Sequence, residues 1–213
     1  MSVSVPIQSI ELTPGSCISI DSLSWRDYET FLAERGERRY RVAYYRGTLE
    51  IVSPLPLHER PHRLIADIVK TILDFQGRDW EDFGATTFRR IGIAGVEPDT
   101  CFYIENADRV RSCLRMDLTI DPPPDLAIES DVTSKTTLDA YLAIAVPEVW
   151  VYSEGRLKIY LLDGGEYREG TVSRIFPDFD LCVMIPRLVN DAMERGTRTM
   201  LRELKESLNR SEV

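Results

Sequence analysis

Long hydrophobic runs are missing from this chain. No apolar stretch approaches the roughly 20 residues that span a bilayer, and the opening MSVSVPIQSIELTPGSC has neither the basic start nor the apolar core of a secretory signal. A cytoplasmic protein is the expectation. Cysteine is sparse: Cys17, Cys101, Cys113 and Cys182 form no CxxC pair, and only His58 and His62 could join them as soft ligands. That argues against both a structural zinc site and a disulfide framework. Neither GxGxxG nor GxxxxGK[ST] occurs, so nucleotide-dependent chemistry lacks its usual phosphate cradle. There is no GxSxG elbow, and two clustered histidines are poor material for a serine triad. Positive charge is in deficit, with 26 Lys and Arg against 35 Asp and Glu and a net charge of −9. Proteins that live on phosphate backbones usually present a basic face. Arg60 with Arg63, Arg89 with Arg90, and Arg109, Arg111 and Arg115 are local basic spots that read first as ordinary solvated surface.

What is present suffices for one ordinary core: 43% of the 213 residues are hydrophobic. A single domain over 1–213 is expected, with its core at about 25–185 and a charged C-terminal helix at about 187–210. Trp25, Tyr28, Phe31 and Leu32 recur at helical spacing after a cap at Asp21 or Ser22. RYRVAYYRGTLEIVSP alternates on both sides of Arg46-Gly47 and predicts a hairpin stopped at Pro54. In HERPHRLIADIVKTILDF, Leu64, Ile65, Ile68, Val69, Ile72 and Leu73 mark the buried face of a helix, with Pro61 in its first turn. Strands follow through GATTFRRIGI and VEPDTCFYI, then a loop ending in Pro122-Pro123-Pro124. Ser134 or Thr133 caps a helix from Lys135 to Ala145 with Leu138, Tyr141, Leu142 and Ala145 inward. Two strands joined by Glu154-Gly155, a third beyond Gly164-Gly165, and a charged helical end broken at Gly196 complete the chain. This order predicts an α/β protein in the loose sense, an α+β mixed sheet with helices against it.

The informative feature is a set of carboxylates at the ends of apolar strands. Glu97 and Asp99 flank Pro98, and on DLAIESD the period-two alternation puts Asp125, Ala127, Glu129 and Asp131 on one face and Leu126 and Ile128 on the other. A carboxylate there costs free energy unless something cationic meets it. Cleaving a phosphodiester needs a divalent metal on hard oxygen ligands, a water activated on it, and a cation to offset charge on the phosphate. Asp99, Glu129 and Lys135 are candidates for these parts, and strands roughly 5 Å apart let two carboxylates share one ion. Other conspicuous residues read as structural. His58, Glu59 and His62 lie at a helix start, where polar groups cap and balance charge. Trp150 and Tyr152 read as core, and Tyr40, Tyr44 and Tyr45 as cross-strand partners.

GTLEIVSPLPLHE, EPDTCFYI, PPPDLAIESDVTSKT and AYLAIAVPEVWVY, in that order, resemble the Uma-type endonuclease family, a former domain of unknown function common in cyanobacteria and placed in the PD-(D/E)xK restriction-endonuclease-like superfamily. The likeness runs from about Trp25 to Leu181. It implies a restriction-endonuclease-like core that uses Mg2+ or Mn2+ to hydrolyse DNA. It further implies Asp99 and Glu129 as metal ligands and Glu50 as an accessory acid, while Asp131, one strand repeat beyond Glu129, is a second accessory by its spacing. The superfamily expects lysine where Asp131 stands; many Uma-type relatives carry it instead where this chain has Thr137. Lys135 is then the substitute, and the alternative expectation is a weakly active or inactive nuclease-fold binding or assembly module, paired as a homodimer.

Overall fold

The computed structural model describes residues 10–36, 40–53, 56–130 and 134–210, with the backbone alone for 56–59. Strand β1 (Cys17–Ile20) leads into helix α1 (Trp25–Glu34). That helix starts at a capping box: the Ser24 hydroxyl accepts from the Asp27 amide at 3.2 Å, while the Asp27 carboxylate accepts the Ser24 amide at 2.7 Å. The cap is therefore Ser24 rather than Asp21 or Ser22, and Ser22 instead takes a left-handed φ of 64°. Strands β2 (Arg41–Tyr45) and β3 (Thr48–Val52) form the expected hairpin. Arg46 and Gly47, at φ 44° and 98°, form its two-residue turn, matching the right-handed twist of the strands.

Helix α2 (Pro56–Phe75) starts earlier than the pattern indicated, so Pro61 falls beyond its first turn. Its expected apolar face is buried throughout, from Leu64 to Leu73. Strands β4 (Glu81–Asp82), β5 (Phe88–Arg90), β6 (Ala94–Val96) and β7 (Thr100–Tyr103) follow, then the short helix α3 (Ala107–Val110) and strand β8 (Leu126–Ser130). Helix α4 (Lys135–Ile144) is capped by Ser134, whose hydroxyl accepts from the Thr137 amide. It buries Thr137, Ala140, Tyr141 and Ile144 rather than Leu138, Leu142 and Ala145, because its smaller residues fit the close approach to β2 and β6. Strands β9 (Glu148–Ser153), β10 (Arg156–Asp163) and β11 (Glu166–Gly170) form the expected meander. Helices α5 (Leu181–Arg195) and α6 (Thr197–Arg210) meet at Gly196, where the break was expected, and the helical end begins at Leu181 rather than at about 187.

The strands build two sheets. One is antiparallel, in the order β1-β3-β2-β6-β5; the other is mixed, in the order β11-β10-β9-β8-β7-β4, its one parallel pair being β8 and β9. This corrects the reading of VEPDTCFYI as one strand: Val96 pairs with Ala43 in the first sheet, whereas Thr100 pairs with Ile128 in the second. The chain changes sheets across Glu97-Pro98-Asp99, where proline has no amide to extend either ladder. One core lies between α2, α5, α6 and the mixed sheet, with Trp150 and Phe176 at its centre. A second joins the sheets through Ala43, Val96, Ala127 and Val149 under Tyr141 of α4. Among the described residues no helix is long and apolar enough to cross a membrane.

Candidate active site

The change of sheet places Asp99 beside the end of β8. Its carboxylate Oδ2 accepts the Ser130 amide at 2.7 Å and the Ser130 hydroxyl at 2.9 Å, and its Oδ1 is paired with Arg41 Nε at 3.2 Å. Glu129 is the residue just before Ser130 on β8, so the Ser130 contacts bring Asp99 alongside it. Ser130 thus holds Asp99 through both its main chain and its side chain. Glu129 accepts from the Tyr141 hydroxyl at 2.5 Å, which ties β8 to α4. Burial, together with the like charge of Asp99, pushes the Glu129 carboxyl well above the usual carboxylate range; Tyr141, Arg41 and the Asp99 amide act against that shift. Burial, with Glu129 nearby, pushes the Tyr141 phenol upward as well.

Glu50 enters from the other sheet. Register places it opposite Ala43, and directly opposed strand residues share a face, so Glu50, Ala43 and Arg41 lie on the face covered by α4. The buried Glu50 carboxylate accepts from the Ser134 hydroxyl, which also lies 3.1 Å from Thr137 Oγ1. Thr137, where the resemblance led to an expectation of lysine, is thus folded into the start of α4 and buried. Lys135 sits exposed in the first turn of the same helix. Asp131, His58 and Glu59 lie outside the residues whose side chains are described.

Three site neighbours were not legible as such. Arg41 gave no local signal, because its role comes from a long-range pair with Asp99. Ser130 lies within the motif strand and acts through its amide as well as its hydroxyl. His62, read as a helix-start residue, is buried on α2 with Nδ1 3.4 Å from the Ser130 hydroxyl. Glu97 resolves differently from Asp99. It forms a two-pronged pair with Arg35 at 2.6 and 2.7 Å and accepts from Thr87 at 2.6 Å, so its charge is met inside the protein and it braces the corner. A cleft of about 900 Å3 opens between α2, α5 and α6, lined by Phe75, Phe179, Met200 and Arg195 among others, and holds none of the junction carboxylates.

Mixed sheets flanked by helices, with an acidic pair where the sheets meet, define a restriction-endonuclease-like fold. The family model Uma2, described as "Putative restriction endonuclease", matches residues 25–189, and the chain belongs to that family. Helix α6 lies beyond the matched span. Among solved structures, the crystal structure of "a putative nuclease belonging to DUF820" from Anabaena variabilis is similar over 75% of this chain and 90% of that one, at 14% identity and a TM-score of 0.50. At that identity the likeness is one of fold. No curated protein matches the chain.

Whether the junction suits a divalent ion is a question of donor chemistry. Among the described residues no three His, Cys, Asp or Glu side chains converge as a ready-made metal cage. Mg2+ does not demand one: it is commonly held by one or two carboxylates, completed by waters and substrate phosphate oxygens. Buried Glu129 and half-buried Asp99 offer hard oxygens of like charge, and this donor set fits Mg2+ or Mn2+ rather than a soft metal.

Proposed function

We propose that the chain is an endonuclease that hydrolyses DNA phosphodiester bonds in the cytoplasm, with Mg2+ or Mn2+ held by Asp99 and Glu129. The observation that carries this reading is the capture of Asp99 by the amide and hydroxyl of Ser130, the residue after Glu129, which brings two acidic groups to one sheet junction. When bound, the ion supplies an activated water and polarises the phosphoryl oxygen. The residues of the chain do the positioning. Ser130 orients Asp99 by its amide and hydroxyl. Tyr141 fixes the rotamer of Glu129. Glu50 anchors Ser134 and with it the start of α4, and in this reading is an accessory acid, as is Asp131. Lys135, projecting from that start, orients the attacking water or offsets charge on the phosphate. Hydrolysis forms one P–O bond from water, breaks the ester P–O bond, and delivers a proton to the departing oxygen.

One observation favours a second reading, a homodimeric DNA-binding or assembly module of nuclease fold with little or no turnover. Thr137, buried in the cap of α4, leaves the usual lysine position without a cation. Supercoiled plasmid titrated with Mg2+ or Mn2+ separates the two readings. Metal-dependent nicking by wild type, abolished by EDTA and by Asp99→Ala, is the expected result. Wild type that cuts no better than Asp99→Ala contradicts the nuclease reading and leaves the module.

A further inference from the structure

We propose that Arg41 supplies a cation that this site's sequence motif lacks: it neutralises Asp99 in the metal-free protein and meets the substrate phosphate during cleavage. The inference rests on the nuclease reading and assigns a residue that the motif does not contain. Arg41 stands on β2, in the sheet opposite Glu129, yet its guanidinium reaches across the junction. Nε is 3.2 Å from Asp99 Oδ1, and one terminal nitrogen donates to the Pro98 carbonyl at 3.4 Å. The side chain is 22% exposed, and that of Asp99 9%. The charge is therefore neither sealed in the core nor loose on the surface, but lies at the rim of the acidic pair. Its field also acts on Glu129, opposing the upward push on that carboxyl.

Two physical arguments turn this contact into a role. A divalent ion shared by Asp99 and Glu129 would compete with Arg41 for Asp99 Oδ1, because two cations at one oxygen repel. Arg41 is thus a placeholder whose departure accompanies loading. Its planar five-donor fork is matched to phosphate as well as to carboxylate, and Arg is favoured where two oxygens must be gripped together. A phosphate oxygen reaching the ion arrives beside this fork, which then changes partner from carboxylate to phosphate. Lys135, exposed in the first turn of α4, need not do both tasks.

A merely structural arginine and a placeholder that turns to phosphate differ in what their removal does to metal binding. Arg41→Met keeps length and removes charge; Arg41→Lys keeps charge and removes the fork. Mn2+ affinity is measured calorimetrically without DNA, and single-turnover cleavage of a labelled duplex is measured with saturating Mn2+. Arg41→Met should bind Mn2+ severalfold more tightly while cutting about a hundredfold more slowly. Arg41→Lys should bind Mn2+ like wild type and cut about tenfold more slowly, and it carries the test should Arg41→Met fail to fold. Weaker or unchanged Mn2+ binding by Arg41→Met, or wild-type cleavage by Arg41→Lys, overturns the role of Arg41 while leaving an active wild type a nuclease. A wild type that neither binds Mn2+ nor cuts overturns both.

Discussion

Asp99 and Glu97 are two residues apart and have opposite fates, and the difference lies in what meets each charge. Glu97 is satisfied by Arg35 and Thr87, and its geometry leaves it no chemical task beyond bracing the corner. Asp99 is held by one amide, one hydroxyl and one guanidinium, all from elements outside its own corner. Tyr28 packs tightly against β6: a Cβ at Gly95 would come within 2.1 Å of its hydroxyl, so only glycine lets β6 run this close to α1 before the corner. Lys135 is the residue whose role is most open to a single substitution. Because it is exposed on a capped helix start, Lys135→Ala should leave the fold unchanged. Single-turnover cleavage with Mn2+ should nonetheless fall about a hundredfold, the loss typical of one preorganised electrostatic group. Mn2+ affinity should hold steady, in contrast to its gain in Arg41→Met, and Lys135→Arg should recover little. Cleavage by Lys135→Ala at the wild-type rate would make it an ordinary surface lysine.

At the scale of elements, α2 is the support on which the mixed sheet rests. Ile68 and Ile72 are fully buried one turn apart, in the cluster that contains Leu126, Ile128 and Trp150. Ile68→Ala and Ile72→Ala should each cost about 2 to 5 kcal/mol, as cavity-forming truncations do, and a denaturant titration reads this directly. Mn2+ affinity of the folded fraction should not change, because Leu126 and Ile128 face α2 whereas Glu129 faces the junction. Wild-type stability in both variants would contradict this packing. The helix face was legible from its spacing, as were the hairpin at Arg46-Gly47 and the alternation that puts Ala127 and Glu129 on one side of β8. The split of VEPDTCFYI between two sheets was not. An apolar run reads the same whether its ends pair with one sheet or two, and Pro98 was the one local sign of a break. Arg41 was equally hidden, since no local pattern records an ion pair between distant strands. The inward face of α4 was misread because Thr137 and Ala140 are buried for their small size rather than their hydrophobicity.

Across the whole molecule, the two sheets divide the labour. The mixed sheet with α2, α5 and α6 contains the larger core, and the antiparallel sheet with α1 brings Arg41 and Glu50 to the junction. The net charge of −9 makes the acidic junction part of a broadly negative molecule, so in the proposed nuclease reading DNA would have to be met by local basic groups and by a bound ion. Two of the basic spots are already spoken for in part: Arg111 pairs with Asp79, Glu81 and Asp108, and Arg90 donates to the Ala143 carbonyl. That concentrates the demand for positive charge on the site itself. The central claim is that Asp99 and Glu129 share one divalent cation, and anomalous diffraction from a crystal soaked in Mn2+ tests it most directly. The account predicts a single strong peak at the sheet junction with carboxylate oxygens of both residues at about 2.0 to 2.6 Å; no peak there at saturating Mn2+, or a peak bound by neither residue, would contradict it.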